Sequence, residues 1–185
     1  MEKQTDQPLK LTIGVMFTLS RLLLLPVIIA GVALKIGWLS AGATSAAVLS
    51  DLADGGIARL RGEWTQAGKD LDSVVDFVLI HSVYIAFYAT GNIPTYQFAV
   101  IYITMLMTLL VFFVHTSKGN EGLADTKFSR PTGALEYGYL LYLVAGEVIR
   151  HSRLWEQAGF VLFAVLAAMA LIFCVECVVL LKKTA

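Results

Sequence analysis

DLADGGIARLRGEWTQAGKDLDSVVD, residues Asp51 to Asp76, sets four carboxylates into a chain that is otherwise mostly apolar: Asp51, Asp54, Asp72 and Asp76. The first pair is spaced i, i+3 and the second i, i+4, so on helical flanks each pair projects from one face. Asp51, Asp54, Gly55 and Ala58 continue one face with small residues, and Gly68, Asp72 and Asp76 form a second stripe. A hairpin that brings the stripes together places four like charges around one small volume. Such charges repel and call for cations to neutralise them. Oxygen-only ligands favour a hard ion such as Mg²⁺, Mn²⁺ or Ca²⁺.

Outward from this stretch, the chain is dominated by long apolar runs rather than amphipathic periods. Of its 185 residues, 57% are apolar and 15% charged, which marks a membrane protein of one domain, 1–185. The formal net charge of zero gives no sign of a nucleic-acid partner. Six candidate spans fall at 12–34, 37–61, 70–91, 96–116, 133–150 and 156–181, each near the ~20 residues a bilayer requires. The runs are too long and continuous for barrel strands, which leaves an all-α integral membrane protein with six transmembrane helices. The first run, after Lys10, has no clear small-residue cleavage site and reads as a retained span.

Six spans put both termini on one side with the 2–3 and 4–5 connectors. That side carries ten basic residues (Lys3, Lys10, Arg59, Arg61, Lys69, Lys118, Lys127, Arg130, Lys182 and Lys183) against three opposite (Lys35, Arg150 and Arg153). The bias predicts cytoplasmic N- and C-termini, with the aspartates at the cytoplasmic end of helices 2 and 3 of a cell inner or plasma membrane protein. Asp51 lies about 21 Å into its helix, inside the cytoplasmic half of a ~30 Å core. Carboxylates at that depth mark a functional cavity.

The spacing Asp51-x2-Asp54-Gly55-x2-Ala58-Arg59-x8-Gly68-x3-Asp72-x3-Asp76 fixes eight positions and resembles in full the signature of the CDP-alcohol phosphotransferase (CDP-alcohol phosphatidyltransferase) family, membrane enzymes of phospholipid synthesis. The resemblance implies a magnesium- or manganese-dependent transferase with two ions. Asp51, Asp54 and Asp72 would bind metal, and Asp76 would act as general base and also as a metal ligand. Gly55, Arg59 and Thr65 would contact the CDP moiety. Each also has an ordinary reading, as a packing glycine, a positive-inside anchor and a loop threonine. The substrate implied is CDP-diacylglycerol, whose phosphatidyl group passes to a small alcohol, with a polyol phosphate favoured, and CMP is released. CDP-choline or CDP-ethanolamine giving its headgroup to diacylglycerol is an alternative that the motif permits. A noncatalytic divalent-cation membrane protein would use the carboxylates but would not need Gly55, Ala58, Arg59 and Gly68.

Upstream, Thr18-Leu19-Ser20-Arg21 followed by Pro26 is similar to a first-helix TLxR…P pattern of bacterial phosphatidyltransferases in this family. Thr18 and Arg21 are therefore candidates for the substrate side. Arg21 could instead pair with a motif aspartate or snorkel to the interface. Lys118, Lys127 and Arg130 share the long connector, and Phe128 to Gly133 (FSRPTG) loosely resembles an Arg-Pro segment of inositol-phosphate-type members. Lys118 and Arg130 are candidate acceptor-phosphate ligands, with plain positive-inside charge as the alternative. Phe77 stands where phosphatidylglycerophosphate synthases often carry lysine, and GKDLDSVVD resembles some serine-using members, so the acceptor stays open. Cys174 and Cys177 form a CxxC spacing in an apolar span and read as packing. Glu136, Glu147 and Glu176 lie in or near spans without a role that the motif supplies. The small residues Gly42 to Ala47 favour close helix packing, within the chain or across the homodimer common in this family.

Overall fold

Because a backbone in lipid has no water to bond to, each apolar run closes its own hydrogen bonds as a helix. The computed structural model describes residues 13–61, 66–117, 127–149 and 152–184, by backbone alone at 13–17, 51–61, 66–70, 115–116 and 183–184. It has six helices: α1 (Ile13–Ala33), α2 (Gly37–Arg61), α3 (Gln66–Ala89), α4 (Thr95–Ser117), α5 (Ser129–Gly146) and α6 (Arg153–Thr184). Stretches 71–89, 95–114 and 153–182 are long and apolar enough to cross a membrane, and 18–33 is a shorter apolar stretch. The 32 residues of α6 span about 48 Å, more than a ~30 Å hydrocarbon core, so it must tilt or project.

The helix ends have local causes. At the end of α1 the Lys35 N–H bonds the Val32 carbonyl (3.2 Å) and the Ile36 N–H bonds that of Gly31 (2.8 Å). This is a Schellman closure, and it forces Lys35 to a φ of 55°. The same pattern ends α3, with Gly91 at φ 75°, Gly91 N–H on Tyr88 (3.0 Å) and Asn92 N–H on Phe87 (2.9 Å). Ser152 caps α6, its Oγ accepting the Trp155 N–H at 3.3 Å. Expected boundaries move, most in α3 and α5. Helix α3 begins at Gln66 rather than 70, and α5 runs 129–146 rather than 133–150. Pro131 sits in the first turn of α5, where its missing N–H has no intrahelical partner to lose, so the FSRPTG segment enters the helix instead of preceding it.

Helix α1 packs against both α2 and α3; α5 joins α2, α3 and α6; α4 lies against α3 and α6. Ile28, Val32, Tyr84, Phe87, Leu140 and Leu166 form the core between them. Leu23, Trp38, Leu49, Phe113, Phe160 and Leu171 are exposed on the outer faces. The alternating chain direction gathers the start of α1, the end of α2 and the start of α3 at one end. The three short turns gather at the other, around Glu147. There Asn92 Nδ2 donates to Glu147 Oε1 at 3.0 Å, and a Cβ on Gly37 would lie 2.3 Å from the Glu147 carbonyl oxygen. Of the small residues in α2, Ala43, Thr44 and Ala47 are buried within the chain, while Gly42, Ser45 and Ala46 are exposed.

Candidate active site

The polar turn Thr18 to Arg21 interrupts an otherwise apolar α1 and faces inward. Thr18 and Arg21 are 3% and 2% exposed. A buried guanidinium is costly unless it is paired and hydrogen-bonded, and Arg21 is paired twice. One terminal nitrogen donates to Asp72 Oδ1 and the other to Asp76 Oδ1. Thr18 Oγ1 donates to the same Asp72 oxygen at 3.2 Å. The two aspartates lie one turn apart on α3, so one planar fork reaches both. Their side chains keep 40% and 41% exposure, so the carboxylates stand at an accessible rim with the arginine behind them.

The same turn of α1 also reaches α2. Ser20 and Ser50 share a hydrogen bond with Oγ atoms 3.3 Å apart. Ser50 directly precedes Asp51, so this contact pins the α2 backbone where the aspartate pair begins. The α2 backbone is helical through Asp51, Asp54, Gly55 and Arg59, as the i, i+3 spacing requires, while the side chains of 51–70 lie outside the described residues. Thr65 and Lys118 also fall outside them. Arg130 is exposed in the first turn of α5. Among the described residues no group of three or more His, Cys, Asp or Glu converges on a metal position. Asp72 and Asp76 contribute two convergent, accessible carboxylates, a donor type that suits a hard divalent ion.

The three unassigned glutamates have structural partners. Glu136 is 7% exposed on α5; its Oε1 accepts from Thr104 of α4, and its backbone carbonyl accepts from Tyr84 Oη of α3 at 2.6 Å. One residue thus joins three helices inside the bundle. Glu147 binds the α3–α4 turn, as above. Glu176 of α6 holds the lead-in to α5, Oε1 accepting the Lys127 N–H at 3.0 Å and Oε2 the Phe128 N–H at 3.1 Å. Cys174 and Cys177 carry free thiols, and Cys177 is fully buried against Val111 and Phe173. Reading the sequence missed the Ser20–Ser50 contact, for which the only signal was two small hydroxyls adjoining Arg21 and Asp51.

Helical bundling, apolar outer faces and an accessible carboxylate pair define a membrane-embedded helical protein with a polar site at one end of its bundle. The sequence model of the CDP-alcohol phosphatidyltransferase family matches residues 11–180, and the chain belongs to that family. It is therefore a transferase of phospholipid synthesis, and its apolar helices mark it as an integral membrane protein. No curated protein matches the chain significantly in sequence.

Proposed function

We propose that the protein transfers the phosphatidyl group of CDP-diacylglycerol to a small alcohol, with a polyol phosphate favoured, and releases CMP. The observation that carries this reading is the convergence of Asp72 and Asp76 on Arg21, beside the stretch of α2 that bears Asp51 and Asp54. Mg²⁺ or Mn²⁺ held by Asp51, Asp54, Asp72 and Asp76 would neutralise the pyrophosphate and stabilise the departing CMP phosphate. The chain's own groups do the rest. Asp76 takes the proton from the acceptor hydroxyl as its oxygen attacks the lipid-side phosphorus. Gly55 lets the nucleotide approach the backbone, Arg59 pairs with phosphate through its fork, and Thr65 adds a hydroxyl contact. Lys118 and Arg130 bind the acceptor's phosphate.

In this reading all six helices span the membrane and the termini and site are cytoplasmic, so the acyl chains stay in the leaflet while nucleotide and acceptor enter from water. The whole chain acts as one domain and works as a homodimer. The test is CMP release by purified protein in mixed micelles with CDP-diacylglycerol and Mg²⁺ or Mn²⁺, supplying glycerol 3-phosphate, inositol phosphate, inositol and serine separately. Turnover with one acceptor, lost in a folded Asp76→Asn variant, is the expected result. Wild-type-like turnover in Asp76→Asn would remove Asp76 from the role of base. Silence of the folded wild type across the panel would overturn the donor and acceptor assignment.

A further inference from the structure

Arg21 lies outside the Asp51–Asp76 signature, on a different helix, yet it is the best-buried charged side chain described. It touches both α3 carboxylates through different nitrogens, and Thr18 bonds one of the same oxygens. A group meant to meet incoming phosphate would need its donors turned toward the accessible rim. Here the exposure runs the other way, with the aspartates at the rim and the guanidinium 2% exposed behind them. Two carboxylates one helical turn apart repel, and repulsion at a half-exposed rim would splay them onto different rotamers. A single rigid fork that binds both fixes their separation and orientation together.

We propose that Arg21 is a positioning residue, a counter-cation built into α1 that holds Asp72 and Asp76 in working register before any divalent ion or substrate arrives. Thr18 fixes the Asp72 oxygen from the same helix turn, and Ser20 ties that turn to α2, so α1 sets the spacing of both halves of the site. This deepens the proposed function, but its main consequence is open to test without turnover.

The experiment is thermal unfolding of the full-length protein in detergent with EDTA, for the wild type, Arg21→Gln, Asp72→Asn/Asp76→Asn and the triple variant. Loss of the cation should lower Tm by about 4–8 °C, which at roughly 2–4 °C per kcal/mol is a loss of about 2 kcal/mol, the scale of a charged hydrogen bond. In the Asn/Asn background, where there is no charge to hold, the same Arg21→Gln change should cost less than half as much. If Arg21→Gln does not fold, the triple variant should recover a cooperative transition. Equal shifts in both backgrounds, no shift in either, or no recovery in the triple would overturn the proposal. Arg21→Lys supplies the kinetic readout: it keeps the charge but loses the fork, so kcat should fall about tenfold or more while KM for CDP-diacylglycerol stays within about twofold. A raised KM with kcat unchanged would place Arg21 on the substrate instead. An absence of wild-type turnover strikes the proposed function and leaves the EDTA comparison standing.

Discussion

Gly31 and Gly42 lie on the paired helices α1 and α2, and adding one methyl to each should move stability in opposite directions. A Cβ on Gly31 would lie 2.5 Å from the backbone nitrogen of Ser40, 2.9 Å from its Cα and 3.0 Å from its Cβ. Heavy atoms in ordinary contact sit about 3.5–4.0 Å apart, so the two backbones must part by about 1 Å. Neither backbone can rotate out of the way, and Ser40 is fully buried with its Oγ on the Gly37 carbonyl at 3.0 Å. Overpacking of this kind costs about 1–3 kcal/mol. Alanine returns about 0.5–1 kcal/mol over glycine as a helix former, which leaves Gly31→Ala destabilised by roughly 0.5–2 kcal/mol. Nothing lies within 4 Å of a Cβ on Gly42, so Gly42→Ala keeps only the gain. Thermal unfolding in one detergent should therefore place Gly31→Ala below the wild type, by about 1–8 °C at 2–4 °C per kcal/mol, and Gly42→Ala at or slightly above it. Turnover should fall with Gly31→Ala alone, because the parted helices also carry the Ser20–Ser50 contact about 16 Å along α1. A Gly31→Ala protein as stable as Gly42→Ala would refute the close approach on which this rests.

Two further substitutions probe the ends of the bundle. Lys35 adopts φ 55° to close α1 and is exposed, so Lys35→Gly should raise stability by up to about 1 kcal/mol and Lys35→Ile should lower it, both read as shifts in the unfolding midpoint. Glu176→Gln leaves one oxygen for two backbone N–H donors, so amide exchange at Lys127 and Phe128 should speed up with the global midpoint unchanged. On the proposed function the same change raises KM for the acceptor and spares KM for CDP-diacylglycerol.

The helices were legible because each rests on a run of apolar residues whose backbone has no alternative partner. The start of α5 shows the limit of that reasoning. The apolar run starts at 133 and leaves out the polar turn Ser129 to Thr132, yet Pro131 costs nothing in the first turn of a helix, and the Glu176 grip on residues 127 and 128 lies just ahead of that turn. The aspartate stripes were legible as spacing, since i, i+3 and i, i+4 fix which side chains share a face. The fate of Arg21 was not. Pairing with an aspartate and meeting a phosphate both suit an arginine at that depth, and the choice between them depends on how α1 crosses α3, a long-range register that local spacing does not encode. Glu136 illustrates the same gap: a carboxylate in an apolar span announces a partner, but Thr104 lies 32 residues away and Tyr84 lies 52.

The division of labour between signature and support follows from that geometry. The signature must supply accessible oxygens, so its α3 aspartates stand at a half-exposed rim. A side chain at a rim has few neighbours to fix its rotamer. Restraint here comes from another helix. Here a single turn, Thr18 to Arg21, supplies it for both sides, bonding Asp72 and Asp76 on α3 and Ser50 on α2. A fixed arginine suits this task better than lysine, because its planar fork constrains orientation as well as charge. The residues that give the site its precision thus lie some thirty positions before the motif that identifies it, on a helix whose remaining surface is ordinary apolar packing.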